Sequence, residues 1–469
     1  MQAQLDPGSF KDPEGRVIVH RGEVYRTLTE DAARRMRASR ETLEALCRDG
    51  RLIATRLVSR DEAGLPAGVG GETLLHHERV PVITYPFEWS FDMLREAALC
   101  TLEVLETCLE RGLILKDASA YNVAFHRGRM VFIDTLSIDA YAEGEPWDGY
   151  AQFCREFLFP LMLTAYRGVE FQPWFRGRLN GLALADLARL LTWRDLLRKG
   201  VLRHVVLQRR LERWFAGADM EIRGRFRDIR FSKGMILANL RGLRKVVASL
   251  AYRAAESHWL DYTEKSSYSD EERAQKADFV GRALDRLAPA QVVDLGCNIG
   301  DHALIAAGRA AQVVAADLDP ACVNTLYRRL GADDVRNVTP MVADLLNPSP
   351  GLGWDLRERS PLFDRIRSDA FLALALVHHV AIDGNVPLAA FLDRLSDIAP
   401  AGVVEWVDKQ DGMVRRMLRN RTDVFPDYDW AHFERLLRER FTLAEVAESH
   451  QGQRKLCLVL PRDREPPSP

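Results

Sequence analysis

The chain has 469 residues, of which 47% are hydrophobic and 28% charged, and its formal net charge is -2. That length exceeds one ordinary hydrophobic core and predicts two or three domains, while the near-neutral balance excludes a global field that would draw the protein to nucleic acid or to a membrane surface. The seven cysteines stand singly, with no CxxC pair and no Cys/His ligand spacing, so neither a disulfide framework nor a zinc site is indicated and reduced thiols are expected.

The first stretch, MQAQLDPGSFKDPEG, is polar and lacks the basic-then-apolar pattern of a signal peptide. Apolar runs such as AFLALALV (370–377) are far too short to cross a bilayer. A cytoplasmic location is expected. Up to about residue 90 the pattern predicts strands at RVIVH (16–20) and EVYRTL (23–28), a helix over 31–49, and a strand running into a turn at VPVITYPF (80–87). A helix follows from Phe91 to about Arg111, with Leu94, Ala97, Ala98, Leu102 and Leu105 on one face.

The segment LKDASAYN (115–122) and the strand-like MVFIDTL (130–136) come next. Asp117, then Asn122 five residues on, then Asp134 at the end of the next strand, match the order in which kinases carry a catalytic base and two magnesium ligands. A kinase-like α+β domain is therefore expected over 1–235, with a hinge-like turn at Tyr85-Pro86. Against retained activity stand the missing glycine-rich loop, the missing strand lysine, and Thr135 where a glycine normally frees the segment. The plain alternative is a local turn in which Asp117 and Asn122 brace the loop through bonds to backbone.

Helical patterns at 150–166 and 183–214 continue the domain. The basic stretches RRLERWF (209–215), EIRGRFRDIRFSKG (221–234) and RGLRK (241–245) interleave Arg with Trp214, Phe226 and Phe231. Such a pattern can contact phosphate and stack on bases, but a solvated helix face is the commoner origin, and nucleic acid is not the expected partner. Residues 236–285 are expected to form a helical linker and lid, in which Tyr268 could cover a cofactor and Lys276 would be solvated. The tail 463–469 is expected to be disordered.

From about 290 the rhythm changes to alternating strand and helix. Strands are predicted at QVVDLG (291–296), QVVAADL (312–318), VTPMVADL (338–345), AFLALALV (370–377) and GVVEWV (402–407), with helices at 301–311, 386–398 and 428–440. Asp319-Pro320 marks a helix start. Fully apolar strands of this kind form a parallel sheet covered on both faces, and TLAEVAE (442–448) with KLCLVL (455–460) would close it as an antiparallel hairpin. This Rossmann-like domain is expected over 286–462.

VVDLGCNIG (292–300) carries the strongest signal. Gly296 and Gly300 let the backbone turn and approach a ligand, and the helix start at 301 offers unpaired N–H groups. Asp294 is placed to hold a cationic amino group, Asn298 lies in the loop, Asp317 is placed to accept from ribose hydroxyls, and Asp344 could accept from an adenine amino group. The GxNxG loop, the acid before it and the terminal hairpin argue for S-adenosyl-L-methionine over a dinucleotide.

VVDLGCNIG, VVAADLDP, VADLLNPSPGLGW (342–354), ALALVHHV (373–380) and VVEWVDK (403–409) together resemble the class I S-adenosylmethionine-dependent methyltransferases of the NoeA nodulation-protein type. The likeness extends to ITYPFEWSF (83–91), LKDASAYNV (115–123), FIDTLS (132–137) and YAQFCREFLFPLML (150–163), and so covers most of the chain. It implies methyl transfer to a small-molecule or glycan acceptor, in which positioning does most of the work. For a hydroxyl acceptor His378 or His379 is the candidate base, and Glu405, Asp408 and Lys409 would sit at the same rim. The rival readings are a bifunctional enzyme with phosphotransfer at Asp117, Asn122 and Asp134, or a non-catalytic scaffold.

Overall fold

The computed structural model describes residues 3–66, 68–69, 71–216, 232–253, 269–419 and 422–462. The chain forms two compact units, one of Met1–Ala255 with Gly351–Arg359, the other of Glu256–Pro350 with Ser360–Pro469. The expected linker is shared: helix Lys233–Ala248 lies within the first unit, helix Asp270–Leu287 within the second. Tyr268, Phe226, Phe231 and the tail 463–469 lie outside the described residues.

The first unit starts with a five-stranded antiparallel sheet. Gln4–Leu5, Val17–His20, Glu23–Thr27, Thr73–His77 and Thr55–Ser59 are neighbours in that order. The helix expected over 31–49 is two helices, Glu30–Ala38 and Arg40–Arg48, separated at the buried Ser39. The strand expected at 80–87 is absent. Pro81 and Pro86 cannot donate to a ladder, and the only regular element there is a short turn of helix, Pro86–Glu88. Helix Phe91–Glu110 buries the apolar face that its periodicity marks.

LKDASAYN bridges strands Leu113–Leu115 and Val123–His126, which pair with Ile138–Ala140 and Arg129–Phe132 respectively. Tyr150–Arg167 runs as one helical stretch, widened at Cys154–Leu158 into a π-helical turn. The pattern at 183–214 breaks into four pieces, beginning with helix Leu184–Leu190.

The second unit is built on seven strands: β1 (Gln291–Leu295), β2 (Gln312–Asp317), β3 (Val338–Val342), β4 (Ala370–Ala373), β5 (Ala401–Val407), β6 (Phe441–Ser449) and β7 (Arg454–Pro461). Their spatial order is β3-β2-β1-β4-β5-β7-β6. The first five are parallel, while β7 runs antiparallel to both β5 and β6, as the hairpin pattern predicts. Val292, Val293, Val313, Val314, Phe371, Leu372, Val403 and Val404 are fully buried, so both faces of the sheet are covered. β4 is shorter than its apolar run suggests and stops at Ala373, because Ala375 takes up a left-handed conformation at φ +49°. Asp319 caps helix Pro320–Ala332, accepting from the Ala321 N–H at 2.8 Å. The strand order reverses between β1 and β4, where sheets of this kind open a crevice at their carboxyl ends.

Candidate functional site

That crevice is a cleft of about 400 Å³ lined by Asp294, Gly296, Asn298, His302 and Lys276 among others. The glycines have different jobs. Gly296 sits at φ +76°, where a Cβ would meet only the Leu376 side chain, at an ordinary contact distance of 3.5 Å, so this glycine serves the left-handed turn and the approach of a ligand. A Cβ on Gly300, at φ +89°, would lie 2.3 Å from Leu326, so this glycine lets the loop pack on helix Pro320–Ala332. The helix that follows, Asp301–Ala307, is only seven residues long and carries Asp301 in its first turn. It is a weaker anion site than the sequence suggests.

Asp294 and Asp301 are the acids that line the cleft, whereas Asp317 does not line it. Asp294 is 2% exposed, and its Oδ2 has no hydrogen-bond partner among the described residues. Burial, reinforced by nearby Asp317, raises its carboxyl to about 7. Asp317 is also buried and is raised to about 6 by that burial. Its oxygens accept from the Asn298 N–H at 2.7 Å and the Asp319 N–H at 2.9 Å, so it shapes the glycine loop. Asp344, beyond β3, accepts from the Leu346 N–H at 2.9 Å and does not line the cleft.

Two further groups escaped the sequence pattern. His302 lines the cleft, and burial lowers its imidazole to about 4, leaving it neutral at physiological pH. Lys276, expected in solvent, is buried and donates to Glu405 Oε2 at 2.6 Å. Glu405 is not at the rim either. It is 0% exposed, accepts from the Ala375 N–H at 2.8 Å and faces Arg454 at 3.6 Å, which in turn bonds Asp411 at 2.8 Å. A signal existed in hindsight: one helix face carries Lys276 in register with Phe279, Val280 and Ala283, all of them buried.

The expected rim residues divide. Asp408 accepts from the Gln410 N–H at 2.8 Å, and Lys409 pairs with Asp423 at 2.8 Å. His378 and His379 do not line the cleft. His378 is 0% exposed, and neither ring nitrogen has a hydrogen-bond partner among the described residues. Burial and the adjacent His379 hold it well below the usual imidazole range. His379 Nδ1 lies 3.3 Å from Asp383. The pair falls past the strand end, at the start of the helical turn His379–Asp383, because β4 stops early.

In the first unit, Asp117 and Asn122 line one wide cleft of about 930 Å³, and Asp134 does not line it. Asp117 accepts from the Ser119 N–H at 2.9 Å, and Glu156 accepts from both the Ser119 hydroxyl and the Ala120 N–H. Burial raises Glu156 to about 7. Asn122 donates to the Ser137 hydroxyl at 3.3 Å, and that hydroxyl donates to Asp134. The other Asp134 oxygen is held by the Arg26 guanidinium, which also bonds Asp12. The three expected residues are thus brought near one another, with Asp134 committed to Arg26.

Across its length the chain is 35% identical to the nodulation protein NoeA of Rhizobium meliloti (strain 1021), over 447 residues that make up 94% of this chain and 92% of that protein. The chain belongs to the NoeA family. No protein-family model matches it. Solved structures that resemble this NoeA-family chain cover less of it. The N-methyltransferase NodS from Bradyrhizobium japonicum WM9 covers 41% of the chain and 99% of its own length at 13% identity and TM-score 0.30. Magnesium protoporphyrin IX methyltransferase (ChlM) from Synechocystis PCC 6803 with bound SAH covers 41% and 84% at 18% identity and TM-score 0.30. WbdD in complex with the kinase inhibitor LY294002 covers 43% of each chain at 16% identity and TM-score 0.31. No helix among the described residues of this NoeA-family chain is long and apolar enough to cross a membrane.

Proposed function

We propose that this NoeA-family chain is an S-adenosylmethionine-dependent methyltransferase whose cofactor lies in the cleft at the ends of β1 and β4. The observation that carries the reading is Asp294: a buried carboxylate with an unpartnered oxygen, at the floor of a glycine-turned cleft. Such a group is costly unless a cationic ligand pairs with it. The amino group of S-adenosylmethionine meets that need, and Gly296 leaves the space its backbone approach requires. Asp317 already holds the loop by two N–H groups and would share its carboxylate with ribose hydroxyls.

When bound, the cofactor supplies an electrophilic methyl group on a sulfonium. The residues of the chain then have to hold the acceptor in line and keep water away. Lys276 and Glu405 fix the cleft wall by holding helix Asp270–Leu287 to the Ala375 backbone. For a hydroxyl acceptor, the neutral His302 in the cleft wall is a better-placed base than His378 or His379. The first unit serves to bind or present the acceptor. Phosphotransfer there is not carried as a second activity, because Asp134 would first have to leave Arg26 and Ser137.

The test is calorimetric titration of the full-length chain with S-adenosylhomocysteine. Saturable binding that is weakened at least about tenfold by Asp294→Ala is expected. A folded protein that takes up no heat-detectable ligand would sink the reading.

A further inference from the structure

The cleft of the first unit has a composition that the methyltransferase reading does not use. At about 930 Å³ it stands at the upper end of the range for small-molecule sites, roughly 300–1,000 Å³. Part of its wall is the segment Gly351–Arg359, which is encoded between β3 and β4 yet belongs to the first unit. Leu352 and Arg359 exchange two backbone hydrogen bonds at 3.0 Å and close this segment as a tight hairpin. Inside the hairpin Glu358 accepts from the Trp354 N–H at 3.1 Å and from Lys11 at 2.8 Å. The result is an ordered loop that holds a tryptophan 71% exposed. A large apolar ring presented to solvent from a backbone-braced loop is a recognition feature more than a packing one.

Most of the charges of the same cleft are already matched from within. Lys11 pairs with Glu358, Arg178 with Asp186, and Asp12 with Arg26. The Arg359 guanidinium lies 4.3 Å from the centre of the Tyr121 ring. What remains uncommitted is a set of planar polar groups. The side chains of Arg155 and Asn180 make no hydrogen bond or ion pair among the described residues, and Asp117 and Gln152 each use one oxygen to brace the loop. No surplus of cations awaits a polyphosphate. Planar amide, carboxylate and guanidinium edges each engage two neighbouring hydroxyls, and an indole face stacks on the C–H face of a sugar ring.

We propose that this cleft binds a neutral, polyhydroxylated ligand of the oligosaccharide class, with Trp354 as its stacking platform and Asp117, Gln152, Arg155 and Asn180 as its hydroxyl readers. The site is distinct from the cofactor cleft, and its occupancy does not depend on whether methyl transfer occurs.

The full-length chain would be titrated with two neutral trisaccharides, one built of glucose and one of N-acetylglucosamine, and separately with ATP and magnesium. Saturable binding of at least one trisaccharide is expected, weakened at least about tenfold by Trp354→Ala. Because Trp354 is exposed, that variant should keep its melting temperature and its affinity for S-adenosylhomocysteine, which separates this proposal from the assignment of the cofactor cleft. A conservative Trp354→Phe should restore part of the binding. Failure of both trisaccharides to bind at millimolar concentration overturns the proposal. So does trisaccharide binding that Trp354→Ala leaves intact, or magnesium-dependent ATP binding that a trisaccharide fails to displace.

Discussion

The two clefts use carboxylates in opposite ways. In the second unit Asp294, Asp317 and Glu405 are withdrawn from water, and Asp294 and Asp317 are shifted up to about 7 and about 6. In the first unit Asp117 is held at an open wall by a local turn, and the burial is borne by Glu156 behind it. A low-dielectric floor strengthens every charge on a ligand, which suits a cation of fixed structure. An open wall of amide, carboxylate and guanidinium edges suits a ligand with many weak contacts. The difference can be broken or sharpened by substitution.

The largest effect is expected at Glu405. Its removal in Glu405→Ala would take the nearest carboxylate from buried Lys276 and one of two from buried Arg454, which keeps Asp411, a loss of about 3–5 kcal/mol in a denaturant titration. Asp117→Ala removes one loop bond in a part-buried place and should cost no more than about 1–1.5 kcal/mol. Equal losses would erase the contrast between the clefts.

Gly300→Ala comes next. The new Cβ would press on Leu326 at 2.3 Å in a left-handed backbone, so a loss of about 1–3 kcal/mol is expected in thermal unfolding. Gly296→Val has no such clash, and its effect should fall more on S-adenosylhomocysteine affinity, at least about tenfold, with about 1–2 kcal/mol of backbone strain. A Gly296→Val protein with full affinity would displace the cofactor from this loop.

A smaller effect is the pH dependence of ligand binding. Asp294 is raised, so the folded protein without ligand holds a proton there until the pH passes about 7. A cationic ligand favours the ionised form, so affinity should rise from about pH 6 to about pH 8 as that proton is lost, and level off above. Asp317, raised to about 6, is coupled to Asp294, and the charges of Lys276 and Asp301 act on it as well, which makes the midpoint a property of the whole cluster. Asp294→Asn should flatten the profile; an unaltered slope would place the titration elsewhere. By the same linkage, the raised acid makes its contribution to stability at low pH and loses it as pH climbs through about 7. The smallest effect belongs to Asp117→Asn, which should leave S-adenosylhomocysteine affinity within about twofold.

Sequence alone marked the succession of the second unit's strands along the chain and their parallel or hairpin character, and the tertiary structure set their order in the sheet. Five apolar runs with intervening helices admit a doubly covered parallel sheet, and the last two runs admit a hairpin. It also marked Asp294, Gly296 and Gly300, because a turn that must be tight and bare leaves glycine in the letters. What it could not supply was which polar groups turn inward. Lys276, Glu405 and Arg454 look like surface charges one at a time, and only their mutual pairing makes burial tolerable. His378 and His379 look like strand-end bases, but a left-handed Ala375 ends the strand early and carries them away from the cleft. His302 has no motif at all, and it reaches the cleft because the glycine loop turns its helix there. In the first unit D-x4-N…D was legible, whereas the capture of Asp134 by Arg26 depends on a strand residue 108 positions earlier in the chain. Local periodicity fixes elements through nearest neighbours; the pairing of buried charges is decided by residues far apart in sequence, and only the tertiary structure brings those together.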